Sequence, residues 1–302
     1  MAACICWADA QKRVPPKNYS SEMTPKPANS NSLTPARISA FRKRVLDYYR
    51  RNGRRLPWRE TTDPYRILVS EVMLQQTQVD RVIPKYNAFI GRFPNPAALA
   101  AAPLRDVLNL WQGLGYNRRA QALHRCATTV VDEHKGCLPQ TREGLQALPG
   151  IGPYTAAAVC VFAYNRPCVF IETNIRAVYI HSFFPAAEAV TDRQLEPFIA
   201  ATLYKRNPRR WYNALMDYGV YLKKLHGNPA RKSRHHTVQS RFEGSDRQVR
   251  GMIIKILGGV ETMNTDRLVR EIAKEPKRVR SIIDQLIEEG LIKRQRTRLS
   301  LP

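Results

Sequence analysis

No run of about 18 apolar residues occurs in this 302-residue chain, so no segment is long enough to form a membrane-crossing helix. Cysteine is scarce: six residues, at positions 4, 6, 126, 137, 160 and 168, at spacings that match no zinc or thiol-redox motif. Cys126 and Cys160 fall among apolar helical neighbours and read as small buried hydrophobes. So few cysteines, with no hydrophobic block near the N-terminus, point to a reducing setting inside the cell. That means cytoplasm or nucleoid in a prokaryote, nucleus or organelle in a eukaryote. Acid is scarce too. Against 49 Lys and Arg stand 25 Asp and Glu, a net charge of +24. This imbalance says little about fold but calls for a polyanionic partner, nucleic acid by default and an anionic membrane surface as the alternative. Period-two alternation is almost missing up to residue 225, which excludes a sheet-based core and leaves an all-α body.

The length accommodates two or three domains. Residues 1–34 carry Lys, Pro, Ser and Asn with no apolar period and read as a disordered basic tail. Pro35 to about Arg51 presents Ile38, Phe41, Val45, Leu46 and Tyr49 on one helical face. Asp63-Pro64 caps a helix predicted to run to about Val79. On it Glu71, Gln75 and Gln78 form a polar stripe, either a solvated face or an acid set beside groups that hydrogen-bond bases. Further helices are predicted over 80–91, 97–102, 104–110 and 117–133, the last opening on Arg118 and Arg119 as candidate phosphate contacts. After a loop at Glu172, two more follow Thr191 and span Trp211–Leu222. Residues 227–241 turn to Lys, Arg, His, Ser and Pro and read as a basic linker. Residues 242–302 hold three amphipathic helices and a terminal hairpin, the pattern of a winged helix. Its basic Arg278, Arg280 and 293–298 wing suit duplex DNA, although such modules also serve protein contacts.

One stretch organises the rest: Leu148-Pro-Gly-Ile-Gly-Pro-Tyr-Thr-Ala156. A short helix ends near Leu148, Gly150 and Gly152 bracket a tight turn, and Pro153 starts the next helix. Main-chain N–H groups at such a helix start can hold a phosphate. This is a helix-hairpin-helix, a backbone grip on a DNA strand.

Residues 41–225 resemble the catalytic core of an adenine DNA glycosylase of the MutY type, within the helix-hairpin-helix glycosylase superfamily. The likeness is carried by Leu56-Pro-Trp58, Ser70-Glu-Val-Met-Leu-Gln-Gln-Thr-Gln-Val79, Trp111-Gln-Gly-Leu-Gly-Tyr116, the hairpin, and Ala214-Leu-Met-Asp-Tyr-Gly219. It implies two α-helical domains with a cleft between them. Residues 64–171 would form a six-helix domain, residues 35–63 and 172–226 the second, with the winged-helix-like module after them. It implies that Glu71 protonates the adenine ring, that Tyr154 lines the cleft, and that Gln76, beside Gln75, fills the gap left by the flipped nucleotide. Lyase members carry a Lys where this chain has Tyr154. The expectation is therefore a monofunctional N-glycosylase of base excision repair, monomeric, acting on double-stranded DNA with a mismatched or damaged base.

Three departures qualify the resemblance. The family's Asp-Gly-Asn loop is Glu172-Thr173-Asn174 here; Glu172 is assigned the Asp's task of stabilising the sugar cation, with Asn174 beside it, through a side chain one methylene longer. The family's 4Fe–4S cluster uses four cysteines beyond the position of Gly219, and no cysteine follows Cys168. A cysteine-held cluster there is excluded, and no metal or cofactor is expected. Residues 242–302 are too short and helical for the Nudix-like domain with which relatives recognise 8-oxoguanine. Adenine in a mismatch is the leading target; thymine, a damaged base, or lesion binding without catalysis are the alternatives.

Overall fold

The computed structural model describes residues 33–235, 238 and 241–302. The tail expected at 1–34 lies outside the described residues except for Leu33 and Thr34, as do four positions of the expected linker.

Helices α1 (Pro35–Asn52), α9 (Thr173–Phe183), α10 (Asp192–Thr202) and α11 (Pro208–His226) pack together. Phe41 of α1 sits edge-on to Phe183 and Trp211 at their centre. A second group comprises α2 (Pro64–Leu74), α3 (Val79–Arg92), α4 (Pro96–Ala100), α5 (Leu104–Trp111), α6 (Arg118–His134), α7 (Arg142–Ala147) and α8 (Pro153–Phe162). Their starts follow local chemistry. The Asp63 carboxylate accepts from the N–H groups of Tyr65 and Arg66, and Asn95 and Thr141 cap α4 and α7 in the same way.

Two expectations are corrected. The helix that begins at Pro64 stops at Leu74, not at Val79, so Glu71, Gln75 and Gln78 share no helical face. The chain breaks at Gln75, and Gln76 takes the left-handed region with φ 53°. The cause is Arg119. Its guanidinium donates to the carbonyls of Val72, Met73 and Gln75 at 2.8, 3.0 and 2.6 Å, and to those of Leu114 and Gly115 at 3.2 and 3.1 Å. Those carbonyls would otherwise need the next helical turn. Second, a helix, α9, follows directly where only a loop at Glu172 was read. Four consecutive residues, Ala177 to Ile180, are buried along with Ile175 and Phe183, so the helix shows little periodicity.

Beyond α11, a 3-10 turn at Pro229–Lys232 packs on α9. Val190 donates to Lys232 O at 2.8 Å and accepts from Arg234 N at 3.0 Å, and Ala230 and Ser233 are buried. The last segment is α12 (Asp246–Gly258), β1 (Met263–Asn264), α13 (Thr265–Ile272), α14 (Pro276–Glu288), β2 (Lys293–Gln295) and β3 (Arg298–Ser300). Its sheet is antiparallel in the order β1-β3-β2, a strand more than the expected hairpin. The body is thus all-α with a small open C-terminal sheet, in a winged-helix-like arrangement. Among the described residues, no helix is long and apolar enough to cross a membrane.

Candidate active site

A cavity of about 530 Å³ opens between the two helical groups, lined by Glu71, Gln75, Gln76 and Tyr154 from one and by Glu172 and Asn174 from the other. Glu71 lies on α2, buried, and accepts a hydrogen bond from the Tyr154 hydroxyl at 3.3 Å. Burial pushes its carboxyl up to about 7; Glu172 adds to the rise, while the Tyr154 hydrogen bond and Arg59 oppose it. Burial also holds the Tyr154 phenol well above its ordinary value. The Tyr154 ring is fixed edge-on to Phe170 at 5.5 Å, and Phe170 stacks on Tyr212 at 4.1 Å. Glu71 is therefore a carboxylic acid that can hold a proton at neutral pH and is wedged in position.

Glu172 is built differently. It is the N-cap of α9: one carboxylate oxygen accepts from the N–H groups of Asn174 and Ile175 at 2.8 and 2.9 Å. The other accepts from the Asn174 side-chain amide at 3.2 Å. Asn174 is oriented in turn by Lys223 of α11, whose ammonium donates to Asn174 Oδ1 at 2.8 Å. Burial lowers the Lys223 pKa, against the opposing pull of Glu172. Gly219 lets α11 approach this loop, since a Cβ there would stand 2.5 Å from Asn174 O. Glu172 and Asn174 stood in the loop motif read from the sequence, whereas Lys223, which completes the chain Lys223–Asn174–Glu172, had no sequence signal.

The cavity's rim holds a further group that the sequence did not reveal. Asp217, buried, accepts from Arg54 Nε at 2.7 Å and from both terminal nitrogens of Arg59 at 2.9 and 3.0 Å. Burial alone would raise the Asp217 carboxyl, but Arg59 and then Arg54 outweigh it and hold the pKa below the usual carboxylate range. The network ties the strand-like segment before Trp58 to α11. Arg59 thereby presents positive charge at the cavity wall.

The remaining candidates lie on the adjoining surface. Gly150 has φ +75°, and a Cβ on it would meet Ala122 Cβ at 2.5 Å, so only glycine allows the hairpin to seat on α6. Gly152 is the N-cap of α8 and offers no side-chain cap, and a Cβ on it would meet open space. Arg118 is exposed beside the hairpin. Arg119, read from sequence as a phosphate contact, instead directs its terminal nitrogens to main-chain carbonyls and Thr77; burial lowers its pKa to about 10.

Residues 69–207 match the model of the HhH-GPD superfamily base excision DNA repair proteins. An adenine DNA glycosylase of Mycolicibacterium smegmatis is 33% identical over 280 residues, covering 82% of this chain and 91% of that one. The chain belongs to the adenine DNA glycosylase family. Another relative of that name, from Mycobacterium tuberculosis, is 35% identical over 238 residues, covering 72% and 78% of the two chains. The solved structure of a thermostable thymine-DNA glycosylase superposes with a TM-score of 0.54 at 24% identity, covering 61% of this chain and 86% of that one. At that identity it speaks for the fold alone. No cysteine follows Cys168, so this adenine DNA glycosylase family member does not fit the cysteine-held iron–sulfur cluster that the sequence resemblance implies. Beyond Gly219, Lys223 is engaged with Asn174, and His226 stacks on His181 at 4.7 Å. Among the described residues, no group of three His, Cys, Asp or Glu could hold a metal ion.

Proposed function

We propose that the protein is a monofunctional DNA glycosylase that removes mismatched adenine from duplex DNA. What carries this reading is Glu71, a buried carboxyl with its pKa raised to about 7, facing Glu172 across one cavity. The target nucleotide leaves the base stack and enters that cavity, because the scissile bond cannot be reached within the duplex. Protonated Glu71 gives its proton to a ring nitrogen of the adenine. The C1′–N9 bond then breaks, its electron pair goes to the purine, and neutral adenine departs. The sugar cation left behind faces the carboxylate of Glu172. Water adds at C1′, and its proton passes to a cavity carboxylate, leaving an abasic site.

Tyr154, which occupies the position of the lyase lysine, offers no amine for a Schiff base, and no lysine is among the residues lining the cavity. Strand cleavage should therefore require added alkali. The hairpin holds the DNA backbone through main-chain N–H groups near Gly150 and Gly152. Residues 35–63 with 172–226, and residues 64–171, act as the two jaws around the extruded nucleotide.

The test is a single-turnover screen of duplexes carrying adenine opposite guanine or 8-oxoguanine, thymine or uracil opposite guanine, and hypoxanthine. Abasic sites are read with and without alkali. Adenine release with alkali-dependent cleavage is expected. Excision of thymine alone, or of no base, would overturn the reading.

A further inference from the structure

Four arginines stand in the wall of the active-site cavity: Arg54, Arg59, Arg176 and Arg209. Three of them are committed elsewhere or loosely held. Arg59 gives both terminal nitrogens to Asp217, and its side chain is only 9% exposed. The Arg54 side chain meets the same carboxylate through Nε alone, a single bond about which its fork can turn. Arg209 turns a terminal nitrogen to Ala163 O at 2.6 Å.

Arg176 is held differently. Its Nε and one terminal nitrogen, Nη2, donate to the two oxygens of Asp192, each at 2.7 Å. Such a bidentate pair fixes the plane of the guanidinium. Among the described residues the other terminal nitrogen, Nη1, has no hydrogen-bond partner, and the side chain is 20% exposed. Asp192 is a firm backing. It is the first residue of α10, next to the Thr191–Gln194 capping box. Val190, two residues earlier, is pinned through its main chain to Lys232 and Arg234. Arg176 in turn holds the Asp192 carboxyl below the usual carboxylate range, against the opposing effect of burial. An ion pair that only joined α9 to α10 would not need to stand in a reaction cavity with one edge of its guanidinium open.

We propose that Arg176 binds a backbone phosphate next to the extruded nucleotide, through the guanidinium edge that Asp192 leaves free. This rests on the glycosylase reading above, in which Glu172 faces C1′ of the extruded sugar. Arg176 lies four residues after Glu172, about 6 Å further along the axis of α9, and residues so spaced share a face. The phosphates attached to that same sugar must pass close to the Glu172 carboxylate, which repels them. A fixed cation one turn away offsets the repulsion. The position also completes a grip. The hairpin at Gly150 and Gly152 belongs to the α2–α8 group, whereas Arg176 belongs to the group of α1 and α9–α11. The substrate strand would thus be held on both sides of the cavity, with its sugar between Glu71 and Glu172.

The experiment uses the full chain and its Arg176→Gln and Arg176→Lys variants, each checked by thermal melting. Kd is measured on a duplex with adenine opposite guanine, and on the same duplex with one neutral methylphosphonate placed 5′ to the target, 3′ to it, or several nucleotides away. Wild type should lose about tenfold in affinity at one of the two adjacent positions, as for a lost charged hydrogen bond, and much less at the remote one. Arg176→Gln should bind the unmodified duplex about tenfold more weakly and lose nothing further at that same position. Its plot of log Kd against log salt should be shallower by about one. Arg176→Lys keeps the charge without the fork, so its loss at that position should be smaller than that of wild type; it covers the case in which the glutamine variant does not fold. Equal losses in wild type and variants at both adjacent positions would overturn the proposal and leave Arg176 as a tie between α9 and α10. Unchanged affinity of Arg176→Gln for the unmodified duplex would overturn it too. Excision by wild-type protein is scored separately: its absence would sink the glycosylase reading, while the pattern of Kd values alone decides whether Arg176 holds the phosphate.

Discussion

Two carboxyl groups face the same cavity and are held by opposite means. Glu71 sits inside α2 with one phenol for a partner, and burial raises its pKa to about 7. Glu172 sits at the start of α9 with three N–H donors on its two oxygens. The first environment favours a carboxylic acid that can give up a proton; the second uses the carboxylate as an acceptor and sets it by the helix N-terminus. The same functional group is thus prepared for two tasks, and local packing and capping decide which. Glu172 carries a second burden that Glu71 does not, because it also caps a buried helix.

The sharpest way to break this comparison is Glu71→Gln. It keeps shape but removes the acid, and single-turnover excision of adenine should fall by about 10²–10⁴-fold with DNA affinity retained. An unchanged rate would remove Glu71 from the chemistry. The same variant tests the burial argument through stability. In the unfolded chain Glu71 ionises near its ordinary value, 4.5, while in the folded protein it holds its proton to about 7. Wild-type stability should therefore decline, relative to Glu71→Gln, as pH rises from 4.5 to 7 and level off above. The gap should reach on the order of 3 kcal/mol in denaturant titrations at pH 8. No pH dependence in the gap would mean that Glu71 is not desolvated.

Glu172 calls for a pair of variants that separate its two roles. Glu172→Ser keeps an N-cap and Glu172→Ala does not. Both should slow excision by about 10²-fold, and only the alanine variant should lose about 1 kcal/mol of stability. Full excision activity in the serine variant would leave Glu172 as a cap alone. The smallest effect is expected from Lys223→Met, which leaves Asn174 without its donor. Excision should slow by about fivefold, as for one lost hydrogen bond, with the pH dependence of the rate unaltered. A rate equal to wild type would show that Asn174 needs no such positioning.

These groups were unequally legible in the sequence. Glu71, Tyr154 and the hairpin glycines stood inside motifs, and the Asp63-Pro64 cap located the start of α2 by local chemistry alone. The end of α2 was hidden. It depends on Arg119, which lies 44 residues after Gln75 and satisfies the carbonyls that would have continued the helix. Helix α9 was hidden because the successive buried residues Ala177 to Ile180 blur the amphipathic period. Asp217 was part of a quoted motif, yet its partners Arg54 and Arg59 lie 163 and 158 residues away along the chain. Pairing at that range leaves no local pattern. The seating of the C-terminal module was equally invisible, since it rests on the side-chain amides of Asn109 and Gln121 and the guanidinium of Arg105 meeting the main-chain carbonyls of Gly258, Glu289, Gly290 and Leu257. What composition and spacing could supply was the presence of elements and acids; what they could not supply was which distant side chain ends a helix or fixes a loop.

The central claim is that Glu71 acts as a proton donor because its surroundings keep it protonated. Single-turnover excision of adenine opposite guanine, measured from pH 5.5 to 9 at saturating protein, tests it directly. The rate should hold a plateau on the acid side and fall about tenfold per pH unit above about 7, the value to which burial raises Glu71. A rate that stayed level across that range, or rose through pH 7, would contradict the account.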